Sequence, residues 1–238
     1  MRTAANKAEA ERLIADKRYL DAAQVIRDDV PDAEHDKFVR DTFLVPNFKQ
    51  SGIHEVALQL DPKMVVTTNY DDVYDQFCRT GKARDGYNVV RYYDPHILDN
   101  VRSTTRVIIK AHGCVTDPAR TVLTRSQYFR ARRDNGAFYS ILDALFLTNT
   151  ILFVGCGLDD PDIQLILENV NISVASAHPH YALTAKGRHA SLIRVIKETY
   201  NIELLEYETA PPPNPHAPAL EALKDLCAQV QAHRALPT

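Results

Sequence analysis

The chain has 238 residues, 45% of them hydrophobic, and a formal net charge of −3. That length suits one α/β domain or a domain with a small appendage, and the near-neutral balance gives no case for bulk nucleic-acid or anionic-membrane binding. No apolar run reaches the ~20 residues of a membrane span, and the charged N-terminus lacks a signal peptide's apolar core. Cys78, Cys114, Cys156 and Cys227 form no Cys-x-x-Cys pair, which disfavours a disulfide framework or structural zinc and leaves a reducing cytoplasm as the expected location. The helical spacing of Leu13, Ile14, Tyr19, Leu20, Ala23 and Ile26 predicts a helix pair over residues 3–30, turning near Lys17-Arg18 and ended by Pro31. Phe38, Phe43 and Leu44 predict a short helix before Pro46, and Val56, Ala57 and Leu60 another from His54.

The β-branched run from Met64 to Thr68 predicts a strand, and Asn69 to Asp72 a polar strand end able to cap a helix running towards Phe77. A short strand follows around Val89-Val90. Arg106 to Ala111 is another, ending at His112-Gly113, and residues 126–147 read as helical. Ile151 to Val154 is a continuous apolar run that closes in Gly155-Cys156-Gly157, an acidic stretch and Pro161. That sequence predicts strand, tight glycine turn and helix, with Pro161 at the first helical position. Strands at 181–183 and 202–207 flank a helix over 189–199. Strands alternating with helices predict an α/β fold, a mostly parallel sheet covered on both faces, with an N-terminal helical segment. Five prolines between Ala210 and Pro218 predict a stiff, extended linker. The linker divides an α/β domain, 1–209, from a C-terminal helix, 219–238, with Leu220, Leu223, Leu226 and Val230 on one face. That helix is expected to dock on the domain or meet a partner, and to be dispensable for the main fold.

In an open parallel sheet, ligands bind beyond the carboxyl ends of the strands. Three predicted strands end in polar or glycine-rich groups: Asn69/Asp71, His112-Gly113 and Gly155-Cys156-Gly157. If the strands are neighbours, an amide, a carboxylate, an imidazole and a backbone cradle converge, a set suited to cleaving a nucleotide glycosidic bond. The imidazole would handle a proton or a ribose hydroxyl, the amide would position water, and the carboxylate would steady positive charge on the sugar. Each group also has a plainer reading. Asn69 or Asp71 fits a helix cap, His112 a hydrogen-bonded structural residue, and Cys114 and Cys156 small buried hydrophobes. Arg120, Arg125, Arg130, Arg132 and Arg133 fit a solvated helix face, with a contact to phosphate or an acidic partner as the alternative. Tyr92-Tyr93 fits packing. No Ser–His–Asp or paired-His metal spacing stands out.

Together, Thr67-Thr68-Asn69-Tyr70-Asp71-Asp72, Lys110-Ala111-His112-Gly113 and Phe153-Val154-Gly155-Cys156-Gly157-Leu158-Asp159-Asp160-Pro161-Asp162-Ile163 resemble the sirtuin-like domain of bacterial NADases from anti-phage defence proteins. Val122-Leu123-Thr124 and Tyr128 fit the segment after the histidine. The resemblance covers residues 13–207 and implies a Rossmann-like domain binding NAD+ as substrate. Carried over, Asn69 and His112 would be the catalytic pair. Thr68, Asp71, Gly113, Gly155, Cys156 and Gly157 would contact the dinucleotide. Asp71 would lie at the nicotinamide or ribose, and Gly155 and Gly157 at the phosphates or adenosine ribose. In related domains the position of Gly157 is often serine, so that hydroxyl is absent here. The zinc-binding cysteines of protein-deacetylating sirtuins have no counterpart. Hydrolysis of NAD+ to nicotinamide and ADP-ribose, without a metal, is therefore favoured over deacylation or ADP-ribosyl transfer.

The family's strand and Gly-Ala-Gly-x-Ser-like pyrophosphate loop have no match before Asn69, and the first glycine is Gly52. The chain is therefore expected to start just after that loop and to hydrolyse NAD+ weakly or not at all as written. The alternative reading is a catalytically incomplete domain that binds a protein or nucleotide. A second copy of the chain or a defence-system protein is the partner such domains imply.

Overall fold

Among the described residues, the apolar runs form six strands in two three-stranded sheets, and every paired strand runs parallel. The computed structural model describes residues 4–80, 86–156, 158, 160–173 and 177–235. The chain divides into two units, residues 1–54 with 61–138 and residues 55–60 with 139–238.

The first unit opens with helices α1 (Ala4–Ala15), α2 (Tyr19–Asp29) and α3 (Asp32–Phe43), followed by α4 (Gly52–Gln59), whose last turn belongs to the second unit. Lys17 breaks α1 from α2 by taking a left-handed φ of 59°, at the turn the sequence predicts. Strands β1 (Met64–Thr67), β2 (Tyr87–Arg91) and β3 (Arg106–Lys110) lie in the order β1-β3-β2. Val107, Ile108 and Ile109 of the central strand are fully buried, as expected of a strand covered on both faces. Helices α5 (Val73–Thr80) and α6 (Ile97–Arg102) connect these strands, and α7 (Arg125–Asp134) follows β3. At six residues, α6 is too short to show a periodicity, and the sequence reading passes over it.

The N-terminal helices brace the segment after β3. Val39 of α3 packs with Cys114 and Val115, with Phe43 and Leu123 against them. On α2, Gln24 Oε1 accepts from the Ser126 N–H (3.0 Å) and Asp21 pairs with Arg125 (2.7 Å). The arginine group is accordingly a surface in part committed to ion pairs, with Arg133 on Asp134 as well.

In the second unit, α8 (Gly136–Thr148), whose first three residues belong to the first unit, leads to β4 (Leu152–Phe153), α9 (Pro161–Ser173), β5 (His180–Ala185), α10 (Ala190–Tyr200) and β6 (Ile202–Tyr207), with sheet order β4-β5-β6. The predicted linker is not extended. The Ala210 N–H donates to the Pro215 carbonyl (3.0 Å), and Tyr207 meets His216 Nδ1 through its hydroxyl (2.8 Å). That tight turn returns α11 (Ala217–Arg234) onto β5 and β6, where Ala219, Leu223 and Cys227 are buried. Truncating a packed leucine such as Leu223 costs about 2–5 kcal/mol, so deleting this helix removes packed apolar surface. No helix among the described residues is long and apolar enough to cross a membrane.

Candidate functional site

Register decides which strand ends meet. Thr67, the last residue of β1, is paired with Lys110, the last of β3. Asn69 and His112 each lie two residues beyond that pair, at the carboxyl ends of adjacent parallel strands. The expectation that these two ends are neighbours holds. The third strand end differs: β4 pairs with β5, so Gly155 and Cys156 follow a strand of the other sheet. An apolar run of four residues does not encode its partner, and only Leu152 and Phe153 enter the ladder.

The 68–72 loop and the segment after β3 are tied together by backbone. The Ala111 N–H donates to the Thr67 carbonyl (2.9 Å), and the Val115 N–H to the Tyr70 carbonyl (2.8 Å). The Tyr70 hydroxyl donates to the Val122 carbonyl (2.6 Å), and the Val122 N–H to the His112 carbonyl (3.0 Å). Within the loop the cap reading holds for Asp71, whose Oδ1 accepts from the Val73 N–H at the start of α5 (3.0 Å). The Asn69 N–H donates to Thr67 Oγ1 (3.1 Å) and the residue itself is exposed, while Thr68 and Asp71 are half-buried.

His112 is buried, only 3% exposed. Tyr128 covers it: the two rings meet edge-on at 4.9 Å between centroids, and the Tyr128 hydroxyl lies 3.5 Å from Nδ1. Tyr128 is placed by a capping box. Thr124 Oγ1 accepts from the Gln127 N–H (3.3 Å), and Gln127 Oε1 accepts from the N–H groups of Thr124 and Leu123 (2.9 Å each). Gly113 makes the bend possible. Its φ is +83°, and a Cβ there would stand 2.4 Å from the Arg120 carbonyl oxygen. Tyr92 and Tyr93, read as packing residues, also carry bonds: their hydroxyls donate to the Arg120 carbonyl (3.1 Å) and to Asp117 (2.8 Å), and Arg120 lies over the Tyr93 ring.

The sequence reading missed a buried ion pair. Lys110 is 1% exposed and Asp75, in the first turn of α5, is 5% exposed; Lys110 Nζ lies 3.5 Å from Asp75 Oδ2 and donates to the Asp71 carbonyl. Asp75 Oδ1 has no hydrogen-bond partner. Burial pushes the Asp75 carboxyl above its ordinary range, and the adjacent ammonium offsets this only in part. The signal was available: a lysine closing the run Val107-Ile108-Ile109 needs a buried partner, and the helix after β1 starts with acidic residues.

In the second unit, Gly155 is exposed and left-handed (φ +67°) with nothing within 4 Å of a would-be Cβ. The Leu158 N–H donates to Cys156 Sγ (3.4 Å), which is half-buried. Asp160 caps α9, its Oδ1 accepting from the Ile163 N–H (3.1 Å), ahead of Pro161 at the first helical position. Strand, glycine turn and helix therefore follow one another as predicted. Gly157 lies outside the described residues.

Parallel strands connected by helices make this an α/β protein, and Asn69 and His112 follow the carboxyl ends of two adjacent strands, the side on which open α/β sheets bind ligands. Within that class, residues 63–205, more than half of the chain, match the SIR2-like domain, and the chain belongs to that family. It is 29% identical over 171 residues to the NAD(+) hydrolase ThsA of Enterococcus faecium, covering 68% of this chain and 35% of that protein. It is 24% identical over 151 residues to the NAD(+) hydrolase ThsA of Acinetobacter baumannii, covering 63% and 30%. It is 27% identical over 153 residues to the defense-associated sirtuin 2 of Bacillus subtilis, covering 63% and 14%. The chain thus spans about a third or less of the length of these curated relatives.

Proposed function

We propose that this SIR2-like domain cleaves NAD+ to nicotinamide and ADP-ribose, in bacterial anti-phage defence, as the names of its relatives suggest. The observation that supports the reading is the β1–β3 register, whose last pair, Thr67 and Lys110, precedes Asn69 and His112 by two residues each. In this mechanism the bond between nicotinamide and the ribose C1′ breaks, and its electron pair neutralises the pyridinium ring. The sugar becomes cationic. Asn69 holds the water that attacks C1′, and His112 takes the proton that water releases. Asp71, whose Oδ1 is turned to the start of α5, contributes negative charge near the developing cation. Thr68 and Gly113 border the same loops. Gly155, Cys156 and Gly157 are proposed as further dinucleotide contacts. No metal is assigned a role.

A second reading is a domain that binds protein or nucleotide without turnover. What favours it is the burial of His112 beneath Tyr128. Incubation of the purified chain with NAD+, followed by nicotinamide detection, separates the two. Under the first reading nicotinamide appears, and Asn69→Ala and His112→Ala each lower its rate at least ~100-fold, the scale of a lost proton-transfer group. Thermal protection by NAD+ without nicotinamide release supports the second reading. Equal release by the His112→Ala protein removes His112 from the mechanism.

A further inference from the structure

We propose that Lys110 is a positioning residue: its buried ammonium clamps the 68–72 loop to the end of β3 and so holds the Asn69 amide in register with His112. This rests on the reading that Asn69 and His112 act together. The first ground is where the charge sits. Val107, Ile108 and Ile109 precede Lys110 on the central strand and are fully buried, and Lys110 itself is 1% exposed. A leucine or methionine would fill such a position without cost, whereas an ammonium persists there only with close polar partners.

The second ground is what those partners are. Both belong to the connection leaving β1: the Asp71 carbonyl and the Asp75 carboxylate, the latter at 3.5 Å. Besides the Tyr70 hydroxyl, three ties hold this connection to β3 and the segment after it, at the carbonyls of Thr67, Tyr70 and Asp71. They fall on either side of Asn69. The last is made by a side chain rather than by backbone, and it comes from the residue two places before His112. One strand end therefore carries both the imidazole and the clamp on the amide loop. Asp75 holds the ammonium through one oxygen only, since its Oδ1 is without a hydrogen-bond partner.

The test uses the full chain and Lys110→Met, whose stem refills the buried space. Backbone hydrogen exchange is read at Val73 and Val115, whose N–H groups report the loop, and at Ile108 in the middle of β3. Nicotinamide release is read in parallel. The clamp predicts about tenfold or faster local exchange at Val73 and Val115, with Ile108 little changed. It also predicts a kcat about 100-fold lower, the loss that a ~1 Å misplacement carries, with KM nearly unmoved. Acceleration shared equally by Ile108 would show a merely stabilising ion pair and overturn the proposal, as would unchanged exchange at all three sites. If Lys110→Met does not fold, Asp75→Asn replaces it; it leaves the ammonium an acceptor and should give the same local pattern, more weakly. If the unaltered chain releases no nicotinamide, the NADase reading fails, while the exchange pattern still decides the clamp.

Discussion

Two glycine bends follow apolar strands in this chain, and they are held in different ways. At Gly113 the strand before it pairs on both sides, with β1 over four residues and β2 over five. The bend is tied to the 68–72 loop and to Val122, and the Arg120 backbone would crowd a Cβ on Gly113. At Gly155 the strand before it pairs over two residues, and the bonds seen among the described residues of the turn include Leu158 to Cys156, Gln164 to the Leu158 carbonyl (2.9 Å) and Ile163 to Asp160. Both glycines are left-handed, but only Gly113 is also enclosed. An enclosed bend tied to several segments fixes the direction of the side chain beside it, His112, whereas the open space around Gly155 leaves its backbone accessible.

Gly113→Ala should give the largest effect. The methyl would meet the Arg120 carbonyl at 2.4 Å as well as a left-handed φ, and we expect a loss of about 3 kcal/mol, read from the urea midpoint. Loss below about 0.5 kcal/mol would mean the enclosure relaxes easily and the contrast with Gly155 dissolves. Tyr70→Phe sharpens the same contrast. It keeps the ring against Phe43 (5.2 Å) but takes the hydroxyl from the Val122 carbonyl, at a cost of about 1–2 kcal/mol. Gly155→Ala should cost about 1 kcal/mol, since φ is strained but the space is open. A larger cost than for Gly113→Ala would reverse the ranking.

The smallest effect is a pH dependence in the second sheet. His180 Nδ1 accepts from the Ile151 N–H just before β4 (3.2 Å), and burial lowers the ring's pKa below its ordinary 6.5. As pH falls through 6.5 towards that lowered value, the unfolded chain takes up the proton first, so stability is lost on the acid side and kept above 6.5. Melting temperatures followed against pH should show this slope, and His180→Gln should flatten it. An unchanged slope in the variant would assign it to other groups.

Period and composition alone determined the elements near Asn69 and His112. The runs Met64 to Thr67 and Val107 to Ile109 are rich in β-branched apolar residues and read as strands, and Asp71 and Asp160 cap the helices beginning at Val73 and Pro161 because short acidic side chains reach the N–H groups nearby. Pairing was not legible. Nothing in Ile151 to Val154 says that it joins β5 rather than β3, because strand partners are chosen by side-chain fit and loop reach across the chain. The same holds for the turn within 210–216, which the prolines suggested was extended and which bends back through a bond from Ala210 to Pro215. The residue types of the candidate site were likewise local information, but the burial of His112 under Tyr128 and the joining of Lys110 to Asp75 come from contacts 16 and 35 residues apart in the chain. A sequence shows that a buried lysine needs a counter-charge; which carboxylate supplies it is settled only when β3 has been laid beside β1 and α5.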